Sequence, residues 1–210
     1  GQSDFWKGML EYDANRFDAT WAHWTCYLRH ATRLLALAPD NPKWMFEVSF
    51  AATNLGIIEK RRGHTANAIR LFEASAEAKR SALTLLPYNE PYHQQYLDTL
   101  SWISSTLEDE GRLDEASRGY ETQINALRIL IDQHPTADSW KLRLANYLQL
   151  DANLQIDRGE LERAEDSATD SITMLEHLND RHAERSKWKV ELARGHLIRA
   201  DVLRARGDVI

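Results

Sequence analysis

His177 and His182 stand five apart with Asp180 between them, the nearest thing to a metal-ligand set in this chain of 210 residues. A metal site prefers ligands that share one helix face. Asn179-Asp180 reads as a break in the helix, so the stretch is expected to be a solvated loop. His23 and His30, seven apart, fall on one helix face and read as exposed or interfacial side chains. The lone cysteine, Cys26, can close no internal disulfide and belongs to no cysteine cluster; it is expected to be a small core residue of a reduced protein. There is no Gly-rich phosphate loop, no Gly-x-Ser-x-Gly, no His-Glu-x-x-His and no Cys-x-x-Cys. No cofactor, metal or catalytic constellation is therefore expected.

Composition narrows the alternatives. A hydrophobic content of 43% supports a sizeable core. Lys+Arg number 26 against 32 Asp+Glu, a net charge of −6, whereas nucleic acid and anionic membranes need a basic footprint. No apolar run approaches the roughly 18 residues of a membrane helix, and no signal-peptide pattern opens the chain. The expected location is cytoplasmic, with neither nucleic acid nor membrane as partner.

The dominant signal is a period. Gly63, Gly111, Gly159 and Gly207 are spaced by 111 − 63, 159 − 111 and 207 − 159, each 48. Ala68, Ala116 and Ala164 keep that step, as do Pro39, Pro87 and Pro135, and the aromatics Trp44, Tyr92, Trp140 and Trp188. Shifted back one period, Asn15 takes the place of Gly63; Asn is the next residue most tolerant of the left-handed conformation that ends a helix. Between the glycines and prolines lie Ala/Leu/Glu/Arg-rich segments with helix composition. They place helices over 18–37, 42–62, 65–86, 91–110, 113–133, 137–158, 161–178 and 184–206, after a partial helix near 1–13. Turns of a few residues make neighbouring helices antiparallel, with Thr65 and Asp114 as caps or first-turn residues. Small residues seven before each turn glycine (Gly8, Gly56, Ser104, Ala152, Ala200) should let the partner helix approach closely, with Ala68, Ala116 and Ala164 as the matching small positions on it and Trp24, Phe72, Tyr120 and Ala168 as a knob-like column four residues later. The units are a partial repeat over 1–38, full repeats over 39–86, 87–134 and 135–182, and a partial repeat over 183–210. Most of the first helix of the opening unit is expected to lie upstream, and both ends read as cut from something longer.

Leu55-Gly56, Gly63, Ala68, Phe72 and Pro87 resemble the tetratricopeptide repeat signature of small, small, aromatic and proline positions. Ser104, Gly111, Ala116, Tyr120 and Pro135 carry the second match. Ala152, Gly159 and Ala164 carry the third, which departs at Ala168 and has Ala183 where proline is expected. The resemblance implies an all-α superhelix, a solenoid of antiparallel helix pairs. The usual repeat has about 34 residues, so the excess here is close to a heptad per helix. Adding a heptad lengthens a helix without rotating its apolar stripe off the core. The Pro-x-Asn-Pro-x-Trp linker from Pro39 to Trp44 is similar to arrays at the C-terminal side of bacterial multidomain signalling proteins, whose other end carries a TIR-like, kinase-like or protease-like effector.

The resemblance also implies that the first helix of each unit lines a concave groove. At 100° per residue, Asn146, Gln149, Asn153 and Asp157 share an arc pointing away from Leu144, Leu148 and Ala152. The same register gives Asp98, Ser101, Ser105 and Asp109 one unit earlier, and Phe50, Thr53, Ile57 and Arg61 before that. In the last unit it gives Arg194, Leu197, Asp201 and Ala205. Amides and hydroxyls can pair with the backbone of an extended peptide, so a protein or peptide partner is expected, the groove being more apolar at its first end. The residues before each turn glycine differ between units, Lys60-Arg61-Arg62 against Glu108-Asp109-Glu110, Ile156-Asp157-Arg158 and Arg204-Ala205-Arg206, and specificity is expected to reside there. The acidic Glu108-Asp109-Glu110 reads as a solvated run, with a basic partner as the alternative, and Trp21, Trp24 and Tyr27 read as packing. The function expected is a non-catalytic binding scaffold. The alternatives are homo-oligomerisation through end helices and an intramolecular sensor of an effector domain.

Overall fold

The structure, a computed structural model, describes residues 1–182, 184 and 186–207. Ala183 and the final residues 208–210 lie outside the described set, as does the expectation attached to Ala183. Among the described residues the chain is all-α, with no strand. It falls into two compact units, Gly1–Glu110 and Gly111–Ile210. The first holds α1 (Gln2–Asp13), α2 (Phe17–Leu37), α3 (Pro42–Arg61), α4 (Thr65–Leu85) and α5 (Glu90–Asp109). The second holds α6 (Leu113–Gln133), α7 (Asp138–Asp157), α8 (Leu161–Arg181) and α9 (Ser186–Arg206). Within each unit successive helices pack side by side in solenoid fashion, and in the second α7 also meets α9. Helices of 20 or 21 residues are about 30 Å long. α1, with 12 residues, carries a larger share of a first helix than the sequence reading allows it.

The turn glycines do what the period requires. Gly63, Gly111, Gly159 and Gly207 have φ of 79°, 71°, 74° and 82°, and Asn15 is the single described non-glycine at positive φ, at 57°. Three turns repeat one bonding pattern: the N–H of Arg16, His64 and Glu160 each donates to the carbonyl five residues back, at 2.8 Å. This is the left-handed helix stop in which orphan carbonyls are satisfied. Thr65 and Asp114 are first-turn residues and make no cap, for the residues preceding α4 and α6 carry no side-chain cap bond. The side-chain caps lie in the linkers instead. Asn41 accepts from Lys43 N–H at 3.0 Å and Asn89 from Tyr92 N–H at 3.0 Å, one period apart.

α8 also runs further than expected, through Asn179 and Asp180 to Arg181. The Asn179 side-chain amide donates to the Leu175 carbonyl at 2.9 Å and to the Trp188 carbonyl at 3.4 Å. A side chain occupied in that way does not compete with the helix.

The small–large pairs form the core. A Cβ added at Gly8 would lie 2.3 Å from the Trp24 indole, and one at Gly56 2.6 Å from the Phe72 ring. Glycine is thus what lets each ring sit flat against the facing helix. In the second unit Ala152 and Ala168 pack together under Ile198, so an aliphatic chain from α9 fills the space an aromatic takes elsewhere. Trp21, Trp24 and Tyr27 are packing residues, Trp24 being 2% exposed.

Candidate partner-binding faces

In the first unit, α1, α2, α3 and α5 together frame an open cleft of about 710 Å³, lined by Phe5, Trp6, Tyr27, Phe46, Phe50 and Tyr92. The Phe5 ring stands 5.2 Å from the Phe50 ring and 5.2 Å from the Trp6 indole, edge to face with the latter. Trp6 is 64% exposed and Phe50 37%, a large apolar surface to leave in water. Lys43, Glu47 and Gln95 supply its polar groups. The Tyr27 hydroxyl donates to Glu47, and burial, reinforced by that carboxylate, pushes the phenol pKa up. Phe50 was in the expected arc; its companions Gln2 and Phe5 were not. Carrying the register back one more period, 50 − 48 and 53 − 48, arrives at Gln2 and Phe5.

The rest of the expected arc in this unit is tied into the fold. Thr53 exchanges a hydrogen bond with Ser75 at 2.7 Å and accepts from Lys79 Nζ at 3.2 Å. Ile57 is half-buried, Ser101 is half-buried and Asp98 is exposed. Lys79 itself is 2% exposed and also donates to Thr99 Oγ1 at 2.5 Å. Burial lowers its pKa to about 8, while the nearby Asp98 carboxylate works the other way. Lys60 bridges α3 to α5, 2.8 Å from Asp109 and 3.2 Å from Ser105. Arg61 lies over the Tyr12 and Phe17 rings at 4.9 and 5.9 Å, and Arg62 pairs with Asp18 and lies 5.5 Å over Trp21. So the Lys60-Arg61-Arg62 triplet contacts the helices beside α3, with Arg61 still exposed. The basic partner of the acidic α5 end is Lys60 of the same unit. Asp109 is well exposed, so Asp109→Asn should cost under about 1 kcal/mol, measured by urea unfolding.

In the second unit, the expected face divides. Asn153 and Asp157 on α7 are exposed, as are Leu197 and Ala205 on α9. Arg194 pairs with Glu191 at 2.8 Å and Asp201 with Arg204 at 2.8 Å. Gln149 is a correction. It is 2% exposed, and its Nε2 donates to Ser171 Oγ at 3.1 Å and to the Glu191 carbonyl at 2.9 Å, joining α7 to α8 and α9. Helical projection gives the right azimuth, but α9 crosses that azimuth because Gly195 lets it close in; a Cβ there would meet Ile172 at 3.0 Å and Gln149 at 3.2 Å. Asn146 is half-buried, and its Oδ1 has no hydrogen-bond partner among the described residues. His182 is not paired with His177: its Nε2 meets Asp138 at 2.8 Å and its ring edge meets Trp188. Among the described residues no three metal-capable side chains converge.

No family model matches the chain, and no curated protein matches it in sequence. Among solved structures it is similar to BtubC (BKLC) from P. vanneervenii. That likeness has a TM-score of 0.56 at 13% identity and covers 92% of this chain and 75% of that one. A likeness at this identity is one of fold, and it fits the all-α repeat architecture seen helix by helix. No helix among the described residues is long and apolar enough to cross a membrane.

Proposed function

We propose that the chain is a non-catalytic polypeptide-binding scaffold of the tetratricopeptide type, acting in the cytoplasm as part of a larger bacterial signalling or regulatory protein. The observation that carries this reading is the aromatic cleft of the first unit. Exposed Trp6 and Phe50 flank Phe5 on rigid helices, with Lys43, Glu47 and Gln95 placed to bond a peptide backbone. Rigid aromatic anchors ringed by polar groups are what concentrates binding energy at an interface. The repeat signature supports the type, since the small and aromatic positions pack against each other in both Gly8–Trp24 and Gly56–Phe72.

A photoreactive benzoylphenylalanine in place of Phe50 tests it. Incubated with a peptide selected from a random display library on the unmodified chain, it should crosslink to that peptide, while the same group in place of Asn153 should not. Crosslinking from Asn153 alone would move the site to the second unit and overturn the assignment. A second reading, self-association through α1, is favoured by Leu10, 68% exposed one turn from Trp6. Sedimentation over a hundredfold concentration range separates the two: the scaffold reading expects a constant mass, self-association a rising one.

A further inference from the structure

The 48-residue period makes one residue of the second unit anomalous. Asp151 stands where Ile103 and Leu55 stand one and two periods earlier, since 151 − 48 is 103 and 103 − 48 is 55, while the charged equivalents Lys7 and Arg199 fall in the first and last helices. It is 4% exposed. Its Oδ2 accepts from Gln155 Nε2 at 2.6 Å and from Ser167 Oγ at 3.3 Å, but its Oδ1 is buried with no hydrogen-bond partner. Burial raises the carboxyl pKa to about 6, against the lowering effects of Ser167 and Arg163. A buried carboxylate with one oxygen unpartnered is costly unless something completes it.

What could complete it is defined by the space around it. Asp151 lies on the α7 floor of a pocket of about 340 Å³ whose walls are α6 and α8. Ile124 and Leu148 give that pocket apolar wall and floor. The charged groups facing it are Glu121 and Arg128 from α6, and Arg163, Asp166 and Asp170 from α8. With Asp151 that is four carboxylates against two guanidiniums. Arg163 is already held by Glu121 at 2.7 Å and Glu160 at 2.8 Å. An ionised carboxylate can only accept, so the missing partner is a donor, and the surplus of negative charge selects a cationic one. A second cleft of about 600 Å³ shares Arg128, Leu148 and Asp170 and is floored by Leu144 and Leu148. It gives room for an aliphatic stem.

We infer that the α6–α7–α8 pocket is a binding site for an ammonium or guanidinium head on an aliphatic stem, with Asp151 as its counter-ion. The site is separate from the aromatic cleft of the first unit and stands or falls independently of it. The head enters between α6 and α8, Oδ1 takes its N–H, and the methylenes lie along Ile124 and Leu148.

Isothermal titration at pH 7 with agmatine, and separately with an acetylated Gly-Arg-Gly-Lys-Gly amide peptide, tests this. Agmatine binding that falls at least tenfold in Asp151→Asn supports a free small cation as the ligand. Binding of the peptide alone, lost in the same variant, supports a basic side chain of a partner. No binding of either probe, or binding unchanged in Asp151→Asn, overturns the site. Should that variant fail to fold, the unmodified chain gives the second readout. Affinity should drop by up to about tenfold between pH 7 and pH 5 as the Asp151 carboxyl takes up a proton, and a pH-independent affinity would equally refute it.

Discussion

Replacing Phe72 by Ala should destabilise the first unit by about 3–5 kcal/mol, the cost of emptying a fully buried aromatic site. Phe72 is 0% exposed and lies over Gly56, so deletion leaves a void between two long helices that cannot collapse locally. Gly56→Ala should also destabilise, by about 1–3 kcal/mol, because its Cβ would come within 2.6 Å of the Phe72 ring edge. The sharper expectation concerns the pair. The double variant recreates the Ala152–Ala168 combination of the second unit, and the new methyl occupies part of the space the ring leaves. Its cost should therefore fall short of the sum by about 0.5–3 kcal/mol. Denaturant unfolding followed by circular dichroism measures all three, and strict additivity would show that the two positions do not interlock.

The second large effect has the opposite sign. Lys79→Leu should stabilise the chain by about 1–3 kcal/mol at pH 7. One and two periods on, the same position is Leu127 and Leu175, each 0% exposed. Removing the ammonium strands no hydroxyl, because Thr53 still donates to the Ser49 carbonyl and Thr99 to the Gln95 carbonyl. The sign of the pH dependence follows from the depressed pKa. In the folded chain Lys79 loses its proton near pH 8, in the unfolded chain near 10.5. Between these values the unfolded state binds more protons, so the Lys79 contribution to stability rises with pH. That contribution is fully present above 10.5 and is lost as pH falls through 8. The advantage of Lys79→Leu should therefore shrink between pH 8 and pH 10. An advantage that stays constant over that interval would mean the folded-state ammonium titrates normally.

Such particulars show how far the sequence carries. Period and turn chemistry are local, and they specify the helices closely: Gly63, Gly159 and even Asn15 take the predicted left-handed turn. Which polar residues face water is not local. Gln149 has the azimuth of a groove residue, yet it is covered because Gly195 on α9, 195 − 149 or 46 residues away, removes the barrier to approach. The anomaly Lys79 is legible by laying the position against its counterparts 48 residues apart, Ala31, Leu127 and Leu175, and Asp151 by laying it against Leu55 and Ile103, although Arg199 follows it one period on. Attention to the first-helix arcs alone passes over Lys79, which belongs to a second helix. Phe5 lies on α1 in the register of Thr53, one period earlier, and Gln2 in that of Phe50. The long basic side chains Lys60, Arg61 and Arg62 looked available because sequence gives their charge and not their reach, and each reaches an adjacent helix of its own unit.

Docking of polypeptide in the aromatic cleft is tested most directly by the affinity of a display-selected peptide for three forms of the chain: unmodified, Trp6→Ser with Phe50→Ser, and Asn146→Ala with Asn153→Ala. Helicity is checked for each. At least a tenfold loss is expected in the aromatic double variant and less than a twofold change in the amide one. Unchanged affinity after removal of Trp6 and Phe50 from a fully helical chain would contradict it.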